Sequence, residues 1–158
     1  MSYQRSLSRR RFLGAASAVG AVAVAGPTLI PRSVLGAPGR PGANERVVIG
    51  FIGTGGRSRQ LMDHVPEDGR IVAISDCNTN RMTDTLKQKE TDWKTYQYFE
   101  KMIESENLDA VVVGTPDHAR TVPCIAACQA GLDVYAEKPL TLTISEGRTL
   151  VNHARKQK

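Results

Sequence analysis

Only three of the 158 residues are cysteine, and Cys77, Cys124 and Cys128 form an odd set without finger-like or CxxC spacing. That argues against a disulfide framework and against a zinc site, and no metal is expected. Cys124 and Cys128 share a helix face at i, i+4 and read as small buried apolar groups. Long hydrophobic runs are also lacking. The most apolar stretch, Phe12 to Ala25, is about 14 residues rich in alanine and glycine, short of the roughly 20 that a bilayer span needs. There is no internal repeat or low-complexity segment, and the length leaves room for one domain rather than a two-domain enzyme.

Negative charge is missing from one end. Residues 1–37 contain no acid and five arginines, Arg5, Arg9, Arg10, Arg11 and Arg32. Removing these five from the 21 basic residues of the chain leaves 16, which the 16 acidic residues balance. The formal charge of +5 therefore describes the leader, and the neutral remainder excludes nucleic-acid binding by a basic face. Within that leader, Ser8-Arg9-Arg10-Arg11-Phe12-Leu13 sets paired arginines before the apolar stretch, the pattern of a cleavable twin-arginine signal peptide over 1–37. Cleavage after Ala37 competes with cleavage after Ala23-Val24-Ala25. The expectation is a periplasmic protein that engages the twin-arginine export machinery and makes no stable membrane span. Residues 38–45, rich in Gly and Pro, read as a flexible lead-in.

From Val47 onward, short apolar runs alternate with segments of helical spacing, as parallel strands covered on both faces by crossover helices require. Strands are expected at Val47–Ile52, Ile71–Ser75, Tyr96–Phe99, Ala110–Gly114 and Val134–Ala136. Helices are expected at Ser58–Val65, Thr79–Glu90, Glu100–Ser105, Arg120–Ala130 (capped by Gly131) and Ser145–Arg155, with Pro66 ending the first. Right-handed crossovers and a glycine-rich first turn predict an α/β doubly wound parallel sheet of order 3-2-1-4-5, a Rossmann fold over 46–158.

That first turn is Gly53-Thr54-Gly55-Gly56-Arg57-Ser58. Gly53 permits the tight turn and Gly55 lets backbone approach a pyrophosphate seated at the following helix N-terminus. Ser58 stands where the fingerprint has Gly or Ala, a change expected to loosen helix–strand packing without abolishing binding. Asp76 ends the second strand, 23 residues after Gly53, where a carboxylate accepts hydrogen bonds from both hydroxyls of the adenosine ribose. A carboxylate there repels a 2′-phosphate and favours NAD over NADP. Arg81 lies near enough to help a phosphate, so NADP stays open. A helix N-cap role beside Asn78 is the competing reading of Asp76.

Two further segments follow strands four and five, Gly114-Thr115-Pro116-Asp117-His118 and Ala136-Glu137-Lys138-Pro139. With the glycine turn and Asp76, they make the chain resemble the N-terminal domain of Gfo/Idh/MocA oxidoreductases from about Arg46 onward. The resemblance implies that Lys138 lies beside nicotinamide and substrate, that Glu137 orients it, that Pro139 follows a cis bond, and that Thr115 and Pro116 line the cofactor crevice. A family-typical histidine falls five residues after the threonine, where this chain has Arg120; His118 is the candidate for part of that role. His64 and His153 receive no function. The resemblance further implies hydride transfer to or from a hydroxyl carbon of a sugar or cyclitol, and a second domain that these residues do not include. A truncated product, a frameshift and a fragment all agree with that ending. This chain alone is then expected to be catalytically incomplete, and a full-length form is open to homo-oligomerisation. The alternative function is a non-catalytic nucleotide-binding or interaction module. A methyltransferase also uses a glycine turn and an acid after strand two, but Glu137-Lys138-Pro139 argues against it.

Overall fold

The computed structural model describes Gly42 and residues 45–157; the expected signal peptide and most of the lead-in lie outside the described residues. The order is β1 (Val47–Ile52), α1 (Gly56–Met62), β2 (Gly69–Ser75), α2 (Thr79–Lys89), β3 (Lys94–Tyr96), α3 (Phe99–Ser105), β4 (Ala110–Val113), a 3₁₀ turn (Asp117–Ala119), α4 (Thr121–Gln129), β5 (Asp133–Ala136) and α5 (Ile144–Lys156). The strands form one sheet in the order β3-β2-β1-β4-β5, every pair parallel. The expected 3-2-1-4-5 arrangement is therefore the observed one.

Successive strand residues point to opposite faces, and here both faces are buried. Phe51 of β1 and Ile74 of β2 pack with Met62 of α1 and Met82 of α2. Their neighbours Ile52 and Ala73, with Val111 and Val113 of β4, pack against Met102 of α3, Cys124 and Ala127 of α4 and Leu150 of α5. Two helices thus cover one face and three the other, which is why β1 and β4 read as unbroken apolar runs.

Most boundaries differ from expectation by one to three residues, and three of the differences have a visible cause. Helix α1 spans Gly56–Met62 rather than Ser58–Val65: the extended backbone of Gly55 lets coiling start early, and a turn at Asp63 and His64 ends it before Pro66. Strand β3 is Lys94–Tyr96 rather than Tyr96–Phe99. Lys94 and Tyr96 both donate to the Glu106 carboxylate, which fixes the strand early, while Tyr98 becomes the N-cap of α3 and is 66% exposed. Helix α5 begins at Ile144, where Thr143 and Glu146 complete a reciprocal capping box. Gly131, with φ +75°, ends α4 as expected.

Candidate functional site

The predicted segments meet at the carboxyl edge of the sheet. Ladder bonds continue past the strand ends: Gly53 N–H donates to Ser75 O (2.7 Å), Gly114 N–H to Ile52 O (2.9 Å) and Glu137 N–H to Val113 O (3.1 Å). These bonds draw the glycine turn, the Thr115 loop and the Glu137-Lys138-Pro139 segment together around the topological switch between β1 and β4.

Gly53 has φ +90°, and a Cβ there would come within 3.0 Å of Thr115 N and 3.1 Å of Gly114 C. A side chain is excluded by both conformation and the neighbouring loop. At Gly55 and Gly56, by contrast, an added Cβ would meet nothing within 4 Å. The turn is tight underneath and open above, and the first α1 bond, Arg59 N–H to Gly55 O, leaves the N–H groups of Gly56, Arg57 and Ser58 without intrahelical partners. That combination suits the pyrophosphate of a dinucleotide.

Asp76 is buried, and its carboxylate grips the turn. Thr54 donates to Oδ2 from both its N–H and its hydroxyl at 2.8 Å, while Asn78 N–H donates to Oδ1 at 2.9 Å. The helix cap is Asn78, whose side chain accepts from Asn80 and Arg81 N–H, so Asp76 is not the cap. A carboxylate has about four acceptor sites; these bonds engage three, and the Cys77 thiol makes a weaker contact with Oδ1 at 3.7 Å. Burial pushes the Asp76 carboxyl up, but the N–H groups of Asn78 and Thr54, the Thr54 hydroxyl and the Arg81 charge outweigh it, and the net direction is down.

Ser58 is fully buried, and its hydroxyl faces Gly114 O at 3.4 Å. A Cβ on Gly114 would stand 2.1 Å from the Ser58 Oγ. The departure from the fingerprint at Ser58 is therefore accommodated by a glycine on the facing strand end.

Glu137 does not pair with the ammonium beside it. Its buried carboxylate accepts from Arg57 Nε at 2.7 Å and from Lys138 N–H at 3.2 Å. The Arg57 bond, foremost, holds the carboxyl below the usual range. Lys138 is exposed, and its side chain makes no bond to a described residue; the Lys138–Pro139 peptide is cis. Thr115 donates its hydroxyl to Ala119 O (3.1 Å), Pro116 is exposed, and His118 lies exposed with Nδ1 3.6 Å from Asp117.

One residue was not singled out from sequence as a site residue. Arg120 is 4% exposed, and its two terminal nitrogens donate to the carbonyls of Thr115 and Pro139, joining the β4 and β5 loops. Its Nε has no partner, and no carboxylate lies at ion-pair distance among the described residues. Its signal was a charge at the head of Thr121–Gln129, a helix with no other.

Away from this edge, burial pushes the Cys124 thiol up to about 11, consistent with an inert core residue. Among the described residues, no helix is long and apolar enough to cross a membrane.

The profile of the GFO_IDH_MocA oxidoreductase family, with its NAD-binding Rossmann fold, matches residues 46–158. An inositol 2-dehydrogenase/D-chiro-inositol 3-dehydrogenase of Halalkalibacterium halodurans is 32% identical over 60% of this chain and 28% of its own length. An alpha-N-acetylgalactosaminidase of Tannerella forsythia is 32% identical over 65% of this chain and 24% of its own. Among solved structures, a probable dehydrogenase from Thermotoga maritima superposes with a TM-score of 0.63 at 27% identity, covering 70% of this chain and 34% of that one. The chain spans about three-tenths of the length of the curated relatives it matches.

Proposed function

Since the chain belongs to the Gfo/Idh/MocA oxidoreductase family and carries its NAD-binding domain, we propose that it supplies the dinucleotide half of an enzyme moving hydride to or from a hydroxyl carbon of a sugar or cyclitol. One observation carries the reading: an open glycine turn whose Thr54 is locked to the buried Asp76.

Bound NAD supplies the hydride acceptor, or NADH the donor. The N–H groups of Gly55, Gly56, Arg57 and Ser58 hold the pyrophosphate. Asp76 would accept a ribose hydroxyl through Oδ1 in place of the weak Cys77 thiol contact, and its charge would disfavour a 2′-phosphate, with Arg81 beside it moderating that preference. Thr115 and Pro116 wall the nicotinamide end. Lys138 would hydrogen-bond the substrate oxygen, taking up its proton as the hydroxyl carbon is oxidised and returning it in the reverse direction; His118 stands at the rim as a second proton-bearing group.

Calorimetric titration of the chain and of Asp76→Ala with NADH and NADPH tests this. The loss for NADH should be about 1–3 kcal/mol and smaller for NADPH. Absent binding of NADH by the parent chain refutes the reading. Equal losses for both cofactors would reduce Asp76 to an anchor of the turn.

A second reading keeps the dinucleotide and changes the reaction, favoured by the T. forsythia glycosidase match over 114 residues. Release of N-acetylgalactosamine from a chromogenic galactosaminide, set against polyol-dependent NADH formation, separates the two. The Arg9-Arg10 leader supports periplasmic placement through twin-arginine export, which carries folded and therefore cofactor-loaded cargo. Replacing both arginines by lysine should retain the protein in the cytoplasm, and unchanged periplasmic yield would refute that route.

A further inference from the structure

Lys138 sits next to a carboxylate, yet that carboxylate is committed elsewhere. Arg57 reaches Glu137 from the glycine turn, 80 residues earlier in the chain. The pair is asymmetric: the Arg57 side chain is 57% exposed and that of Glu137 is 8% exposed. A carboxylate this shielded is costly without a cation, and the two available are Arg57 and the adjacent ammonium. The other flank of Lys138 is already fixed, because Arg120 holds the Pro139 carbonyl.

We propose that Arg57 is a positioning residue for Lys138: by occupying Glu137 it keeps the lysine ammonium unpaired and available to a ligand in the crevice. The inference rests on the dinucleotide reading for its purpose, but its geometry is independent of any ligand. If Arg57 is removed, the stranded Glu137 carboxylate turns to Lys138, and the lysine becomes harder to deprotonate. The charged and titratable groups on the segments that meet at this edge are Glu137 after β5, Arg57 on α1, which bonds it, Arg120 at the head of α4, which bonds Pro139, and Asp117 and His118 on the 3₁₀ turn. Only Arg57 and Glu137 are altered in the test.

Competitive acetylation of the full chain across pH, read by peptide mass spectrometry, follows Lys138 directly. Lys101 on the α3 surface, 68% exposed, serves as the internal standard. In Arg57→Met, the Lys138 midpoint should rise and its reactivity near neutral pH should fall about threefold, the scale of a partly exposed ion pair. Arg57→Lys should restore it, as should Arg57→Met combined with Glu137→Gln, which removes both charges. Because Arg57 is largely exposed, these variants are expected to fold, and thermal unfolding checks that they do. The proposal is overturned if Arg57→Met leaves the Lys138 midpoint unchanged. It is equally overturned if Glu137→Gln alone lowers that midpoint as far as Arg57→Met raises it, since Lys138 would then already be the partner of Glu137. Failure to bind NADH would count against the functional reading, while the lysine titration still decides this one.

Discussion

At the scale of single residues, Asp76 anchors the turn, and the ligand role proposed for it separates from that experimentally. Thr54→Val keeps the shape of a fully buried side chain but deletes the hydroxyl that donates to Oδ2. A lost hydrogen bond to a charged group costs about 1.5–3 kcal/mol. Part of that should appear as roughly fivefold weaker NADH binding in a fluorescence titration, the folded state persisting. Asp76 also leaves a signature in acid. Its carboxyl lies below the ordinary value when folded, so it adds stability that is present above the unfolded value of about 4 and is lost as pH falls through the folded one. Thermal unfolding followed downward from pH 5 should therefore fall less steeply for Asp76→Asn than for the parent. Glu106 and Glu137 are held down too, so the slope should shrink without vanishing. A parallel slope would show that Asp76 carries no folded-state proton linkage.

At the scale of elements, the contact between α1 and β4 is set by complementary sizes at two positions. Gly114→Ala would drive a methyl into Ser58 Oγ and to 3.2 Å from Ser58 Cβ. Overpacking of this kind costs about 1–3 kcal/mol, and Ser58→Gly in the same chain should recover part of it. Urea midpoints of the two single variants and the double variant measure the coupling; strictly additive changes would mean the two sites do not interact.

How far these elements were legible follows from where their determinants lie. Strands β1 and β4 carry their signal in their own residues, because burial on both faces demands apolar runs, and Gly53, Gly55 and Asp76 declare a turn and its acid by spacing alone. Strand β3 does not: Lys94 and Tyr96 are placed by Glu106, beyond the intervening helix. The same holds at the site. Lys138 was readable through a local motif, whereas the partner of its neighbour Glu137 is a residue at the opposite end of the domain. Arg120 registered only as a departure from the family's histidine, because its acceptors are backbone carbonyls, which no side-chain pattern announces.

At the scale of the whole molecule, the two sheet edges are guarded unequally. Strand β3 is three residues long with a lysine in it, a short charged edge that discourages pairing. On the other edge, among the described residues, β5 pairs only with β4 and carries Tyr135 at 54% exposure, followed by Leu140, Leu142 and Ile144 at 50%, 56% and 90%. An apolar groove of about 470 Å³ runs beside it between α4 and α5. Light scattering of the isolated chain should show association that grows with concentration, reduced by Tyr135→Lys and Ile144→Lys together. Scattering unaffected by the two lysines would place the sticky surface elsewhere.

The central position of β1 has a consequence in time. This strand is made first and sits in the middle, and it bonds on one side to β2 and on the other to β4. Asp109, which closes the β4 side onto Val48, is 61 residues away. At about 5–20 residues per second on the ribosome, β1 waits some 3–12 s with one whole flank of backbone unpaired. Until β4 emerges, that flank is an open seam down what will become the core. An arrest series that holds synthesis before and after β4 should find protease resistance arriving in one step, when that seam closes.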